Sequence, residues 1–77
     1  MEIKILGTGC ANCKALEQQV WQAVSEMGID AQITKVEDMT DILSYNVMAT
    51  PALVVDNKVV SAGKKLTKEQ VKNLLSK

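Results

Sequence analysis

The sequence predicts an α/β fold of order β-α-β-α-β-β-α, a mixed four-stranded sheet flanked by three helices, in one domain spanning residues 1–77. Three observations carry this. Short aliphatic and β-branched runs alternate with segments whose apolar residues recur every three or four positions. Glycine, asparagine or proline punctuates each change of period. The last two strand-like runs are separated only by Asp56-Asn57-Lys58, which reads as a hairpin turn.

Element by element, Ile3-Lys4-Ile5-Leu6 is the first strand, and Gly7-Thr8-Gly9 turns it into the longest helix, from about Cys10 to Met27. Cys13, Leu16, Val20, Val24 and Met27 form that helix's apolar stripe. Gly28 stops it in a left-handed cap. Ala31 to Val36 has the β-branched weight of a strand. Asp38 caps a short helix carrying Met39, Ile42 and Leu43, which ends near Tyr45-Asn46. Ala52–Val55 and Val59–Ala62 form the hairpin. The last helix has Thr67 as its cap, Gln70 to complete a capping box, and Leu66 to staple onto Val71. Strands separated by helices are expected to pair in parallel through right-handed crossovers, with the hairpin as an antiparallel edge.

At 77 residues the chain sits near the lower limit for a single hydrophobic core. That core must be aliphatic, because 47% of residues are hydrophobic but there is no Phe, one Trp and one Tyr. Nine basic residues balance nine acidic ones, so no general field exists to attract nucleic acid or a membrane surface. No stretch approaches a membrane span, and the N-terminus lacks the basic-then-apolar form of a signal peptide. The expectation is a cytoplasmic monomer.

The chemistry lies in Cys10-Ala11-Asn12-Cys13, which holds the only two cysteines. A C-x-x-C pair after a strand and at a helix start is a redox pattern when strands and helices continue to alternate. Unpaired N–H groups and the dipole at a helix N-terminus favour a thiolate over a thiol. A thiolate is both the attacking species in disulfide exchange and a ligand for soft metals. A permanent staple is a poor use of the pair, since so short a loop restrains the unfolded chain by only about 2 kcal/mol. Two cysteines without histidine cannot complete a zinc or iron–sulfur site within one chain.

The element order, the C-x-x-C after strand one and the lone Pro51 before strand three together resemble the thioredoxin fold in its minimal, glutaredoxin-sized form. More narrowly, G-x-G-C-A-N-C and A-T-P-A-L-V-V-D look like the small prokaryotic thioredoxin-like, redox-active disulfide proteins, over essentially the whole chain. The resemblance implies a thiol–disulfide oxidoreductase with no bound cofactor and no metal. Cys10 would be the nucleophile and Cys13 the resolving thiol. Pro51 would match the family's cis-proline beside the cysteines, and Thr50 would offer backbone hydrogen bonds to a client segment. A disulfide-containing client and a thioredoxin-reductase-type or other electron donor would be the partners.

The chain departs from its larger relatives in several places. Gly9 rather than Trp precedes Cys10, and Ala11-Asn12 replaces Gly-Pro. No acid in strand one matches the buried proton-transfer carboxylate of thioredoxins, since Glu2 lies at the chain end and Lys4 nearer the site. Ala62-Gly63-Lys64-Lys65 stands where glutaredoxins carry a Gly-Gly-Asp-like element for glutathione.

Gly9, Ala11, Asn12 and Lys14 are candidate modulators of Cys10. Gly7 and Gly9 are read as shaping the turn and leaving space for an approaching substrate backbone. Trp21 reads as packing at the stripe edge, Tyr45 as packing over the second helix or the loop near Pro51, and Met39 and Met48 as core fillers. Lys64-Lys65 reads as a solvated loop. The alternative function is Cu(I) binding by the same two thiolates, as in metallochaperone domains. Those domains usually place Gly-Met-x before the pair and follow a β-α-β-β-α-β order, unlike this chain.

Overall fold

Residues 1–7, 11–47, 49–63 and 66–76 are described by the computed structural model. Its elements are β1 (Glu2–Leu6), α1 (Ala11–Met27), β2 (Gln32–Val36), α2 (Met39–Ser44), β3 (Ala52–Val55), β4 (Lys58–Ala62) and α3 (Lys68–Leu75). The expected β-α-β-α-β-β-α order holds. The four strands form one sheet in the spatial order β2-β1-β3-β4.

β1 runs parallel to β2, with Ile3 opposite Ile33 and Leu6 opposite Val36. β3 runs antiparallel to β1, with Leu6 opposite Ala52 and Ile3 opposite Val55. That corrects the expectation of a second parallel crossover. A parallel return would need to carry the chain back along a five-residue strand, roughly 17 Å. The six residues of α2 rise only about 9 Å. The chain therefore crosses β1 and re-enters the sheet at the end where β2 left it. β4 pairs antiparallel with β3, with a register shift between Leu53 and Val54. The hairpin turn is Asp56-Asn57 alone, both at positive φ (49° and 68°), the geometry of a two-residue turn that matches strand twist. The Asp56 carboxylate accepts from the Glu2 backbone N–H at 2.9 Å, and the Asp56 N–H donates to the Glu2 carbonyl at 2.8 Å.

Each face of the sheet has its own core. Ile3, Ile5 and Leu53 pack with Leu16, Val20, Ala23 and Val24 of α1, Leu66, and Val71 and Leu75 of α3. On the other face Leu6, Ala52 and Val54 pack with Ile42 and Val47. The alternation of β1 splits its side chains between the two. α2 buries only Ile42, while Met39 and Leu43 are exposed, so Met39 is not the core filler expected of it. A helix of under two turns can seat one side chain over a twisted sheet but has no breadth to bury three. Trp21 is 54% exposed rather than packed at a stripe edge. Met48 and Lys64-Lys65 lie outside the described residues.

The caps follow the sequence closely. Gly28 closes α1 at φ 64°, and Asn46 ends α2 at φ 61°. The Asp38 carboxylate accepts from the Thr40 N–H at 2.8 Å. At α3, the Thr67 hydroxyl accepts from the Gln70 N–H while the Gln70 side chain accepts from the Thr67 N–H. Thr67→Ala is expected to lower stability by about 0.5–2 kcal/mol. Urea denaturation followed by far-UV circular dichroism measures it, and an unchanged midpoint would contradict the role of the cap.

α1 and α3 are also tied by charge. The Lys68 and Lys72 ammonium groups lie 2.5 and 2.6 Å from the two Glu26 carboxylate oxygens. Hydrogen bonds from Lys68, then Lys72, hold the Glu26 carboxyl below its ordinary value of 4.5. The bond to Glu26 raises Lys72 above its ordinary 10.5. A depressed folded-state acid contributes stability above its unfolded value and loses it as pH falls through the folded value. Lys72 contributes below its unfolded value and loses this as pH rises through its raised folded value. The exposed triad is screened, so its contribution is small. Glu26→Gln should therefore cost a small, constant amount of stability between about pH 5 and about pH 10, and nothing in strong acid. Denaturation midpoints measured across pH check this; a difference that persists undiminished in acid would contradict it.

Candidate functional site

The site forms where β1 ends and α1 begins. Gly7 follows β1, and its N–H donates to the Val36 carbonyl at 3.0 Å, so the strand end is pinned to β2. Cys13 is the third residue of α1 and only 6% exposed. Its sulfur packs against Gly7. A Cβ built on Gly7 would collide with Cys13 Sγ and approach Cys13 Cβ to 3.1 Å. The space at Gly7 is thus taken by the thiol of Cys13, not left open for a substrate backbone, which corrects that part of the sequence reading. No spacing rule relates a strand-end glycine to a sulfur one helical turn on, so only the packing could show it.

β3 brings the proline segment to the same level. Continuing the β1–β3 register beyond Leu6 and Ala52 sets Pro51 across from Gly7. The Thr50–Pro51 peptide bond is cis, Pro51 is buried and Thr50 is exposed. The Pro51 carbonyl accepts from the Gly63 N–H at 2.9 Å, which ties this segment to the end of β4. The end of β1 at Gly7, the first turn of α1 at Cys13 and the sequence-distant segment at Pro51 therefore meet at one edge of the molecule. Ala11, Asn12 and Lys14 are exposed on the first turns of α1. Gly9 and Cys10 lie outside the described residues.

A cavity of about 270 Å³ opens beside Cys13. Ile5 and Gly7 form its apolar floor, and Lys14 lies at its rim. Glu17, Lys35 and Glu37 complete the wall. Lys35 Nζ stands 3.5 Å from a Glu17 carboxylate oxygen and 3.9 Å from one of Glu37. The sequence reading did not single out Glu17 or Lys35. The four-residue spacing from Cys13 to Glu17 was the available signal, because i and i+4 share a helix face.

Lys4 does not belong to this wall. It projects from the opposite face of β1, where its ammonium donates to the Tyr45 hydroxyl at 2.9 Å, lies 3.2 Å from Glu2 Oε1 and sits 5.6 Å from the Tyr45 ring centre. The Tyr45 bond first, then Glu2, raises Lys4 above its ordinary value. Tyr45 is half-buried against the Leu6–Ile42–Val47 cluster, so it packs as expected.

A sheet of this topology, with a shielded thiol on the first turn of its leading helix and a proline strand-start beside it, defines a protein of sulfur exchange. Residues 1–76 match the model of the thioredoxin domain family. A thioredoxin of Methanothermobacter thermautotrophicus is 45% identical over 76 residues, covering 99% of both chains. A thioredoxin of Methanocaldococcus jannaschii is 41% identical over 73 residues, covering 95% of this chain and 84% of that one. The structure of thioredoxin 1 from the thermophilic eubacterium Thermosipho africanus TCF52B shares the fold, with a TM-score of 0.66 over 99% of this chain and 91% of that chain, at 17% identity. The chain belongs to the thioredoxin family. Its activity is thiol–disulfide oxidoreduction, which takes a disulfide-bearing client and an electron donor as its general partners. No helix among the described residues is long and apolar enough to cross a membrane.

Proposed function

We propose that Cys10 and Cys13 form the reversible redox disulfide of this oxidoreductase. Cys10, one position before α1 in the chain, is the attacking thiolate, and a helix start is the place where orphan N–H groups and the helix dipole stabilise that charge. It attacks a client disulfide, forms a mixed disulfide and expels one client thiolate. Cys13 then attacks the Cys10 sulfur, closing the intrachain disulfide and releasing the second client thiolate. Two electrons pass to the client. A separate donor restores both thiols.

The observation that carries this reading is the environment of Cys13, which is shielded and packed against Gly7, with Pro51 at the same level of the sheet. A shielded second thiol suits resolution better than first attack on a bulky client. Thr50 is exposed and adjoins Pro51, so its backbone is the natural rail for an extended client segment. Gly9, Ala11, Asn12 and Lys14 tune the attacking thiolate by backbone approach and local charge. The proposed setting is a cytoplasmic monomer that needs no cofactor. Family membership favours exchange over Cu(I) binding by the same pair. The test is Cys10→Ser, which should abolish reduction of a disulfide-bonded peptide; full activity in that variant would reject the assignment.

A further inference from the structure

We propose that Met39 and Leu43 form an apolar docking ridge for the client, selecting disulfide-bearing segments with an apolar side chain close to the cysteine. The proposal rests on the exchange at Cys10 and Cys13 put forward above. Met39 and Leu43 are 58% and 61% exposed, the most exposed large apolar side chains among the described residues. They stand at i and i+4 on α2, so they adjoin on one flank of the helix. Ile42 takes the side of α2 that meets the sheet.

The placement of α2 turns that flank toward the exchange site. The connection from β2 to β3 leaves at Val36, whose carbonyl accepts from the Gly7 N–H, and returns at Pro51, across from Gly7. α2 therefore crosses the sheet at the end where Gly7, Cys13 and Pro51 meet. Asp41 and Tyr45 line a cavity with Lys4 and Thr34, which lie two residues back along β1 and β2 from Leu6 and Val36. That flank of α2 faces the starts of these strands. Leu43 lies about 200° round the helix axis from Asp41, and as far from Tyr45 at the helix end, so its flank faces the strand ends. Ala49 and Thr50 are exposed as well, and they continue the surface from α2 to the proposed client rail.

The other side of the exchange site is charged, since the cavity beside Cys13 carries Lys14, Glu17, Lys35 and Glu37. Apolar recognition at this end of the molecule therefore comes from α2. A client segment laid along Thr50 and the ridge removes Met39, Leu43 and its own apolar side chain from water together. A polar side chain in that place loses its hydration without gaining a partner.

The test is single-turnover reaction of the reduced full-length protein with an excess of a peptide disulfide. A first phase, proportional to peptide concentration, reports capture by Cys10. A second, independent of concentration, reports resolution by Cys13. Two peptides are compared that differ only in the residues flanking the cysteine, leucine in one and serine in the other. The leucine peptide is expected to react about tenfold faster in the first phase. In the double variant Met39→Gln with Leu43→Gln that preference should fall to about twofold or less. Glutamine keeps the helix propensity, so the serine peptide, the second phase and the denaturation midpoint should stay at parent values. A parent without the preference, or a double variant that keeps it, would overturn the ridge. Equal slowing of both peptides would overturn it too, because that marks general damage rather than recognition. A parent dimer that the double variant dissolves would assign the ridge to a second copy of the chain instead. A parent that reacts with neither peptide would overturn the exchange reading itself, and the ridge with it.

Discussion

Replacing Cys13 by serine is expected to stop turnover while leaving the first attack intact, so that client and protein accumulate as a stable mixed disulfide. Serine is close in size to cysteine and fits the space left by the missing Cβ of Gly7. Its hydroxyl cannot act as the sulfur nucleophile, so nothing displaces the client from Cys10. Turnover of a disulfide-bonded peptide should fall by at least about a hundredfold. Non-reducing mass spectrometry should show the adduct, and a reductant should remove it. The exchange of a shielded thiol for a hydroxyl leaves room for a stability cost of about 1–3 kcal/mol, so the variant should still be assayed at a temperature where circular dichroism shows it folded. Normal turnover without an adduct would exclude Cys13 as the resolving residue.

Gly7→Ala should damage stability and exchange together. The added methyl would overlap Cys13 Sγ, and neither side can yield easily. The Gly7 N–H is bonded to Val36, which fixes the strand end to β2. α1 is held by Leu16 and Val20, both fully buried against the sheet. Overpacking at a site so constrained costs about 1–3 kcal/mol, a large share of the stability of a 77-residue chain. The sulfur that must yield is the one proposed to resolve the mixed disulfide. The denaturation midpoint should therefore fall, and the concentration-independent phase of exchange should slow with it. Wild-type values for both would show that the contact relaxes freely.

The fold was largely legible because local signals agreed with one another. The Thr67–Gln70 capping box, the Gly28 stop and the Asp38 cap are written in single residues, and each has the geometry the chain implies. The apolar stripe of α1 placed Cys13 inward by periodicity alone. What escaped was relational. The antiparallel entry of β3 depends on how far α2 can carry the chain, which its length decides and its composition does not. Met39 and Leu43 look like core residues, but α2 seats only Ile42 on the sheet. The tight contact of Gly7 with Cys13 and the gathering of Glu17, Lys35 and Cys13 round one cavity join residues from separate elements, and no periodicity reports such meetings.

An equilibrium redox titration of the purified protein tests the central claim most directly, with thiols trapped by alkylation and counted by mass across defined thiol–disulfide buffers. The account predicts one reversible two-electron transition in which the chain loses two hydrogens and both cysteines escape alkylation together. Its midpoint would place the protein between a reductant near about −270 mV and an oxidant near about −120 mV. If both thiols remain alkylatable throughout that range, no intrachain disulfide forms and the proposed Cys10–Cys13 chemistry is wrong.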